Sequence, residues 1–373
     1  MQVQFSQKMS RIDSSEIRKM FDLAAHLKNP KNLSIGQPDF PVPEVVKESL
    51  IRAVREDKNS YTLTQGILPL REKLSQIWSE NGIDIQPENI LISGGVAPVL
   101  YLLFDTLFEE GDDILIIEPY FLIYESLAGF HNLKRTYLSE NFSSEDLEVL
   151  KANPLFKPKA VIFSSPSNPT GKILTKEQIS LLAGFSRVKD CLVISDEIYS
   201  AFDYEKKHVR AASIAPEKTI TLGGFSKSHA MTGLRVGYMG VHKSLAPLMQ
   251  KMSALQQYSV VCSPAPCQWA AVTALEHPIS TELNIMEKRR KMVLDALTGK
   301  VAFPFPDGAF YVFPSVPVDS KEFVARAIEQ ELLIVPGYIF SRDSKTVRIS
   351  YAQKEDILEE GLQIFLKVIS LLS

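Results

Sequence analysis

Between residues 90 and 222 the chain repeats one pattern, a short and almost wholly apolar run followed by a longer stretch of helical periodicity. The runs cover residues 90–93, 114–117, 160–163, 192–195 and 219–222, and are built from Ile, Leu, Val, Phe, Ala, Thr and Ser. A strand with one face in water alternates polar and apolar residues. A strand without that alternation is covered on both faces. Amphipathic patterns at 99–108 and 176–185 fill gaps between the runs. The alternation predicts an α/β fold with a mostly parallel sheet and helices on both of its faces. In such sheets ligands bind at the carboxyl ends of the strands.

Those ends carry polar or glycine-rich segments that core packing alone does not explain. They are Ser93-Gly94-Gly95, Glu118-Pro119-Tyr120-Phe121, Ser164-Ser165-Pro166-Ser167-Asn168-Pro169-Thr170-Gly171, Asp196-Glu197-Ile198-Tyr199 and Gly223-Gly224-Phe225-Ser226-Lys227. Lys227 is the most informative. It follows a strand and a Gly-Gly turn, Ser226 precedes it, and Arg235 follows eight residues later. A lysine held among small residues at a strand end can be desolvated, and its amine then becomes a nucleophile. Ser226 and Arg235 read as a phosphate clamp, one hydroxyl donor and one bidentate cation. Each feature also has a plain reading. Lys227 alone is a surface lysine, Gly94-Gly95 a turn, Asp196 a helix cap, and residues 164–171 a loop.

From about residue 255 the pattern changes. Ser263-Pro264-Ala265-Pro266 is a break, a long helical pattern spans 268–297, and Gly299 stands where a helix stop is expected. The aromatic run Phe310-Tyr311-Val312-Phe313 follows, then a helix at 320–331, strands at 332–335 and 346–351, and a final helix. This predicts a smaller α+β domain over 256–373, beside a large α/β domain over 44–255 and an N-terminal arm over 1–43 that contributes to the small domain. Arg348 sits inside an apolar strand, where a charge needs an anion; an internal salt bridge is the plain alternative.

The run 222–238, with Asn168-Pro169-Thr170-Gly171 and with Tyr61, Asp196, Tyr199, Arg235 and Arg348 in order, resembles the class I/II pyridoxal-phosphate-dependent aminotransferases. These are the fold-type-I enzymes of the aspartate aminotransferase superfamily. The resemblance runs from about residue 10 to the C-terminus. It implies that Lys227 holds pyridoxal 5'-phosphate as a Schiff base and moves protons. Asp196 would pair with the ring nitrogen, and Asn168 and Tyr199 with the 3′-oxygen. Gly95, Val96, Ala97, Ser226 and Arg235 would hold the phosphate, although Pro98 and Val99 depart from the family's usual residues. Phe121 would stack on the ring, with Tyr120 or Tyr124 as alternatives. Arg348 would grip the substrate's α-carboxylate, with Asn168 and the Gly36 backbone on the same substrate face. Tyr61 would reach the phosphate of the neighbouring chain in a homodimer with shared active sites.

The implied reaction moves an amino group between an L-amino acid and a 2-oxo acid in a ping-pong cycle. Phe310-Tyr311 and an apolar arm around Ile12 and Phe21 lean toward a neutral or aromatic substrate. A β-eliminating lyase acting on a sulfur amino acid would use the same residues; release of ammonia and pyruvate distinguishes it. A non-enzymatic sensor would need an N-terminal DNA-binding domain, and only some thirty residues precede the Gly36 segment. The net charge of −3 gives no basic footprint for nucleic acid, and no apolar run reaches membrane-spanning length. The start is polar, without a signal-peptide core. The three cysteines form no framework, and the histidines show no metal-ligand spacing, His229 reading as a packing residue. Together these describe a reduced cytoplasmic enzyme or binding protein.

Overall fold

The computed structural model describes residues 3–12 and 27–373. Among them the strands are β1 (Lys31–Asn32), β2 (Ile90–Ser93), β3 (Asp113–Glu118), β4 (Lys134–Ser139), β5 (Pro158–Ser164), β6 (Leu192–Asp196), β7 (Thr219–Gly224), β8 (Gly237–Val241), β9 (Tyr311–Val312), β10 (Leu332–Leu333), β11 (Val335–Pro336) and β12 (Val347–Ser350). The main sheet has seven strands in the order β2-β8-β7-β6-β5-β3-β4. Strands β3 to β7 run parallel, and β8 is antiparallel to both β7 and β2. The fold is α/β, as expected from the alternating runs.

The helices that matter here are α1 (Glu44–Arg55), α2 (Leu68–Glu80), α3 (Val96–Leu107), α4 (Leu122–Phe130), α5 (Ser144–Ala152), α6 (Lys176–Lys189), α7 (Ala246–Ser259), α8 (Ala265–Glu276), α9 (Ser280–Leu297), α10 (Ser320–Glu329) and α11 (Glu355–Leu372). On one sheet face Ile114 and Ile116 of β3 pack with α3, α4 and α7 through Leu103, Leu127 and Met252. On the other face Leu115 and Ile117 pack with Leu147 of α5 and Leu182 of α6. Successive side chains of one strand therefore enter two different cores, which is why the run carries no polar alternation. Helix α6 starts at a capping box in which Thr175 and Gln178 satisfy each other's backbone amides.

Two strands of the main sheet were not expected. Strand β4 lies at the sheet edge and begins Lys134-Arg135, both exposed. Charge on an edge strand guards against pairing with another chain and hides the strand in the sequence. Strand β8 contains two glycines; at Gly240 a Cβ would lie 2.2 Å from the Trp78 ring, so the indole occupies the side-chain position. The single helix expected over 268–297 is two, α8 and α9, separated at His277-Pro278-Ile279. Pro278 has no N–H to donate and pushes His277 into an extended conformation (φ −94°, ψ 114°).

Helices α1, α2 and α8 share a core with β2 through Val46, Leu70, Trp78, Ala271 and Ile92. A further core joins β9 and β12 to α9, α10 and α11, with Phe310, Ile349, Val293, Phe323 and Phe365 at its centre. Strand β1 pairs in parallel with β10, so residues 31–32 join the C-terminal part. Strand β12 lies between β11 and β9 in a small antiparallel sheet.

Candidate active site

A cavity of about 350 Å³ opens at the carboxyl ends of β5, β6 and β7. That size falls within the range of small-molecule sites, roughly 300–1,000 Å³. Gly36, Val96, Ala97, Phe121, Asn168, Asp196, Tyr199, Ser226, Lys227, Arg235 and Arg348 all line it. Residues separated by more than three hundred positions in the chain thus meet at one place.

Lys227 sits on the turn after β7, where the Phe225 N–H bonds to the Val236 carbonyl and the Phe225 carbonyl accepts from the His229 N–H. Its Nζ donates to the Gly36 carbonyl at 2.6 Å. Burial brings the amine from the ordinary 10.5 down to about 8, and the positive charges of Arg348 and Arg235 push the same way. At that value a substantial fraction is uncharged near neutrality and able to attack a carbonyl.

Asp196 ends β6 and is 2% exposed. Its Oδ2 accepts from the Tyr124 hydroxyl at 2.7 Å and its Oδ1 from the Ile198 N–H at 3.2 Å. Burial raises its carboxyl to about 6, against those two hydrogen bonds. Residues 198–201 form turns, not the helix in which Asp196 and Tyr199 would share a face. The Ile198 N–H bond fits the local-turn reading of Asp196, and its place in the cavity wall fits the other. Phe121, just before α4, lines the cavity with its ring edge-on to Tyr124 at 6.0 Å. Of the three aromatics considered for that wall, Phe121 is the one in place. Tyr120 stacks on Tyr137, and Tyr124 points its hydroxyl at Asp196.

Asn168 is fixed by the turn that follows it. Ser167 and Lys172 bond backbone to backbone, Gly171 takes φ +74°, and the Thr170 hydroxyl donates to the buried Glu140 carboxyl at 2.8 Å. Burial lifts that carboxyl to about 7. The Asn168 Oδ1 accepts from Arg348 Nη1 at 3.1 Å, and its Nδ2 faces the Tyr199 hydroxyl at 3.5 Å.

Arg348, in the middle of β12, is 1% exposed. Its Nη2 donates to the Ser34 carbonyl at 2.5 Å, and its guanidinium lies between the rings of Tyr311 and Phe340 at 4.7 and 4.8 Å. Among the described residues no carboxylate pairs with it, and its Nε has no partner. The salt-bridge alternative is therefore unsupported. A buried cation with an unmet donor is costly unless an anion arrives from outside.

In the same cavity, helix α3 presents its N-terminus through Val96 and Ala97. Gly95 caps it at φ +103°, and a Cβ there would lie 2.6 Å from Arg235 Nη2. Pro98 stands at the third helical position, where its missing N–H removes one donor but leaves those of Val96 and Ala97. Free amides, a helix N-terminus and a guanidinium form an anion cradle.

Tyr61 is 85% exposed and lies outside the cavity wall. Ile12 is also absent from the wall, and Phe21 lies outside the described residues. Tyr124 as a partner of Asp196 was not anticipated. Tyr311 was noted only for its aromatic character; its hydroxyl lies 2.7 Å from that of Tyr199. Their signals exist only in space, since the sequence separations are 72 and 112 residues.

Residues 28–365 match the family described as aminotransferase class I and II. The chain belongs to the class I and II aminotransferases. A probable aspartate aminotransferase of Methanocaldococcus jannaschii is 36% identical over 375 residues, covering 97% of this chain and 99% of the relative. An aromatic-amino-acid aminotransferase of Thermococcus litoralis is 34% identical over 384 residues, with 98% of each covered. The solved structure of the Thermotoga maritima aspartate aminotransferase superposes with a TM-score of 0.91 at 29% identity, covering 98% of this chain and all of that one. Family membership makes this chain an enzyme, although relatives of similar identity differ in the substrate they are named for.

Proposed function

We propose that this aminotransferase uses pyridoxal 5'-phosphate to move an amino group between an L-amino acid and a 2-oxo acid in a ping-pong cycle. The observation that carries the proposal is one cavity with two anion sites and a buried amine in its wall that feels the charges of both Arg235 and Arg348. The anion cradle at α3 suits a phosphate, and the unpaired Arg348 suits a carboxylate. The donor set fits the cofactor: a lysine amine lowered to about 8 for its carbonyl, a buried carboxylate for its ring nitrogen, and an aromatic face at Phe121. When bound, the cofactor supplies a carbonyl to receive the amino group and a ring that disperses the charge left on the substrate carbon.

The chain's residues do the rest. Gly95, Val96, Ala97, Ser226 and Arg235 hold the phosphate. Asp196 keeps the ring nitrogen protonated, a carboxylate favouring the charged partner. Tyr199 and Asn168 donate to the phenolate oxygen. Arg348 grips the α-carboxylate in a planar fork, with the Gly36 backbone alongside. The Lys227 amine would take the proton from the substrate Cα and pass it to the cofactor carbon within the same half of the cycle, and in the second half would carry a proton the opposite way, onto the Cα of the acceptor. Amino acid and oxo acid carry the same carboxylate, so one arginine serves both in turn.

The cavity also favours a neutral or aromatic side chain. Its lining cations among the described residues, Lys227, Arg235 and Arg348, each have a role above, and Ile35, Leu100, Phe121, Ile198 and Tyr311 supply much of the remaining wall. A shared-site homodimer is part of the same proposal. Tyr61, Leu63, Tyr258 and Val260 are exposed apolar residues on neighbouring segments, which Gln256 joins by donating to the Thr64 carbonyl at 2.7 Å. Such a patch suits an interface.

The test is direct. The cofactor-loaded protein is reduced with borohydride and digested, and mass spectrometry should find the label on the Lys227 peptide. A panel of amino donors with a 2-oxo acid acceptor should then show amino transfer. Label on another lysine, or release of ammonia and pyruvate in place of transfer, would overturn the proposal.

A further inference from the structure

We infer that Tyr311 is a positioning residue, whose hydroxyl donates to Tyr199 and so keeps the Tyr199 proton free for an anion in the cavity. The inference rests on the proposed function and goes one residue further. Tyr311 lies in β9, paired with Ser350 two residues from Arg348, and is fully buried. Tyr199 comes from the turn after β6. Their hydroxyls are 2.7 Å apart, and either oxygen can be the donor.

Counting protons and lone pairs decides which arrangement serves catalysis. Tyr199 has one proton and two lone pairs. Asn168 Nδ2, a donor only, faces one lone pair at 3.5 Å. If Tyr199 gives its proton to Tyr311, nothing remains for the cavity. If Tyr311 is the donor, the Tyr199 proton is free to reach an anionic oxygen. A hydrogen bond to a charged acceptor is about twice as strong as a neutral one, so an anion in the cavity selects the second arrangement. The chain Tyr311 to Tyr199 to anion is also mutually strengthening. The Arg348 guanidinium, 4.7 Å from the Tyr311 ring centre, favours the ionised form of that phenol and so strengthens it as a donor, and acts in the same direction on Tyr199.

Gly36 completes the arrangement. A Cβ there would lie 2.3 Å from the Tyr311 hydroxyl oxygen but 3.4 Å from the ring carbon that bears it. The hydroxyl therefore occupies the space a side chain at residue 36 would need. Removing the oxygen would leave an alanine in ordinary contact.

The experiment follows the pH at which the visible absorption of the cofactor-loaded protein changes, without substrate. Donors to the phenolate oxygen favour its deprotonated form and lower that pH. Tyr199→Phe should raise it by about one to two units. Tyr311→Phe should raise it by a few tenths of a unit through the weakened Tyr199 bond, and should add nothing in the Tyr199→Phe background. Gly36→Ala should raise it too, by displacing the hydroxyl, and should lose that effect in the Tyr311→Phe background. It also tests the inference if Tyr311→Phe does not fold. A downward shift in Tyr311→Phe means that Tyr199 was the donor and overturns the inference. No shift, or an equal shift with and without Tyr199, overturns it as well. A protein that takes up no colour sinks the cofactor reading instead.

Discussion

Replacing Arg348 by lysine tests the carboxylate grip while keeping the charge. The guanidinium now gives Nη1 to Asn168 at 3.1 Å and Nη2 to Ser34 at 2.5 Å, stacks between Tyr311 and Phe340, and has Nε unmet. A lysine offers a compact ammonium in place of the fork and does not stack as a plane. It can make one directed contact to a carboxylate where arginine makes two. The lost charge-assisted hydrogen bond is worth about 1.5–3 kcal/mol, and about 1.4 kcal/mol is a factor of ten. Arg348→Lys should therefore raise KM roughly ten- to a hundredfold. The rise should be similar for amino acid and oxo acid, because the carboxylate is the part they share. Steady-state rates with both substrates varied give the two KM values, and denaturant unfolding checks that the fold survives. A rise for only one of the two substrates would refute the shared grip. Destabilisation with normal kinetics in the surviving fraction would make Arg348 a structural residue.

Three further outcomes are expected. In the cofactor-free protein, acylation of Lys227 by an amine-directed reagent should rise with pH and level off above about 8, while lysines near the ordinary 10.5 are still gaining reactivity; a Lys227 profile parallel to theirs would contradict its burial-lowered amine. Asp196→Ala should lower kcat by on the order of a thousandfold, about 4 kcal/mol, and a loss below about tenfold would leave Asp196 a structural role alone, in its bonds from the Tyr124 hydroxyl and the Ile198 N–H. Lys227→Ala and Tyr61→Ala chains, each inactive alone, should regain roughly a quarter of full activity when refolded together, since half the dimers are mixed and each holds one sound site. A silent mixture with heterodimers present would refute the shared site.

The parallel core of the sheet was legible because burial on both faces leaves a local trace. Ile114 to Ile117 enter two cores in alternation, so the run is apolar throughout and needs no tertiary information to recognise. Lys227, Asp196 and Asn168 were legible as cavity-wall residues for a related reason, since each stands at the end of such a strand or within four residues of it, at the sheet's carboxyl edge. Strands β4 and β8 escaped because edge charge and glycine override strand composition there. The helix expected over 268–297 failed at Pro278, a local breaker that the surrounding periodicity concealed.

The tertiary structure alone decided what each of those groups touches. Whether Arg348 had a carboxylate partner, and which aromatic near Phe121 entered the cavity, depended on elements distant in sequence. The hydroxyls of Tyr124 and Tyr311 reach Asp196 and Tyr199 only because the packing brings α4 to the end of β6 and β9 to the turn that follows it. A sequence records a residue's own preferences. The pairing of two polar groups across a buried cavity depends on how whole elements pack, which no short stretch of chain encodes.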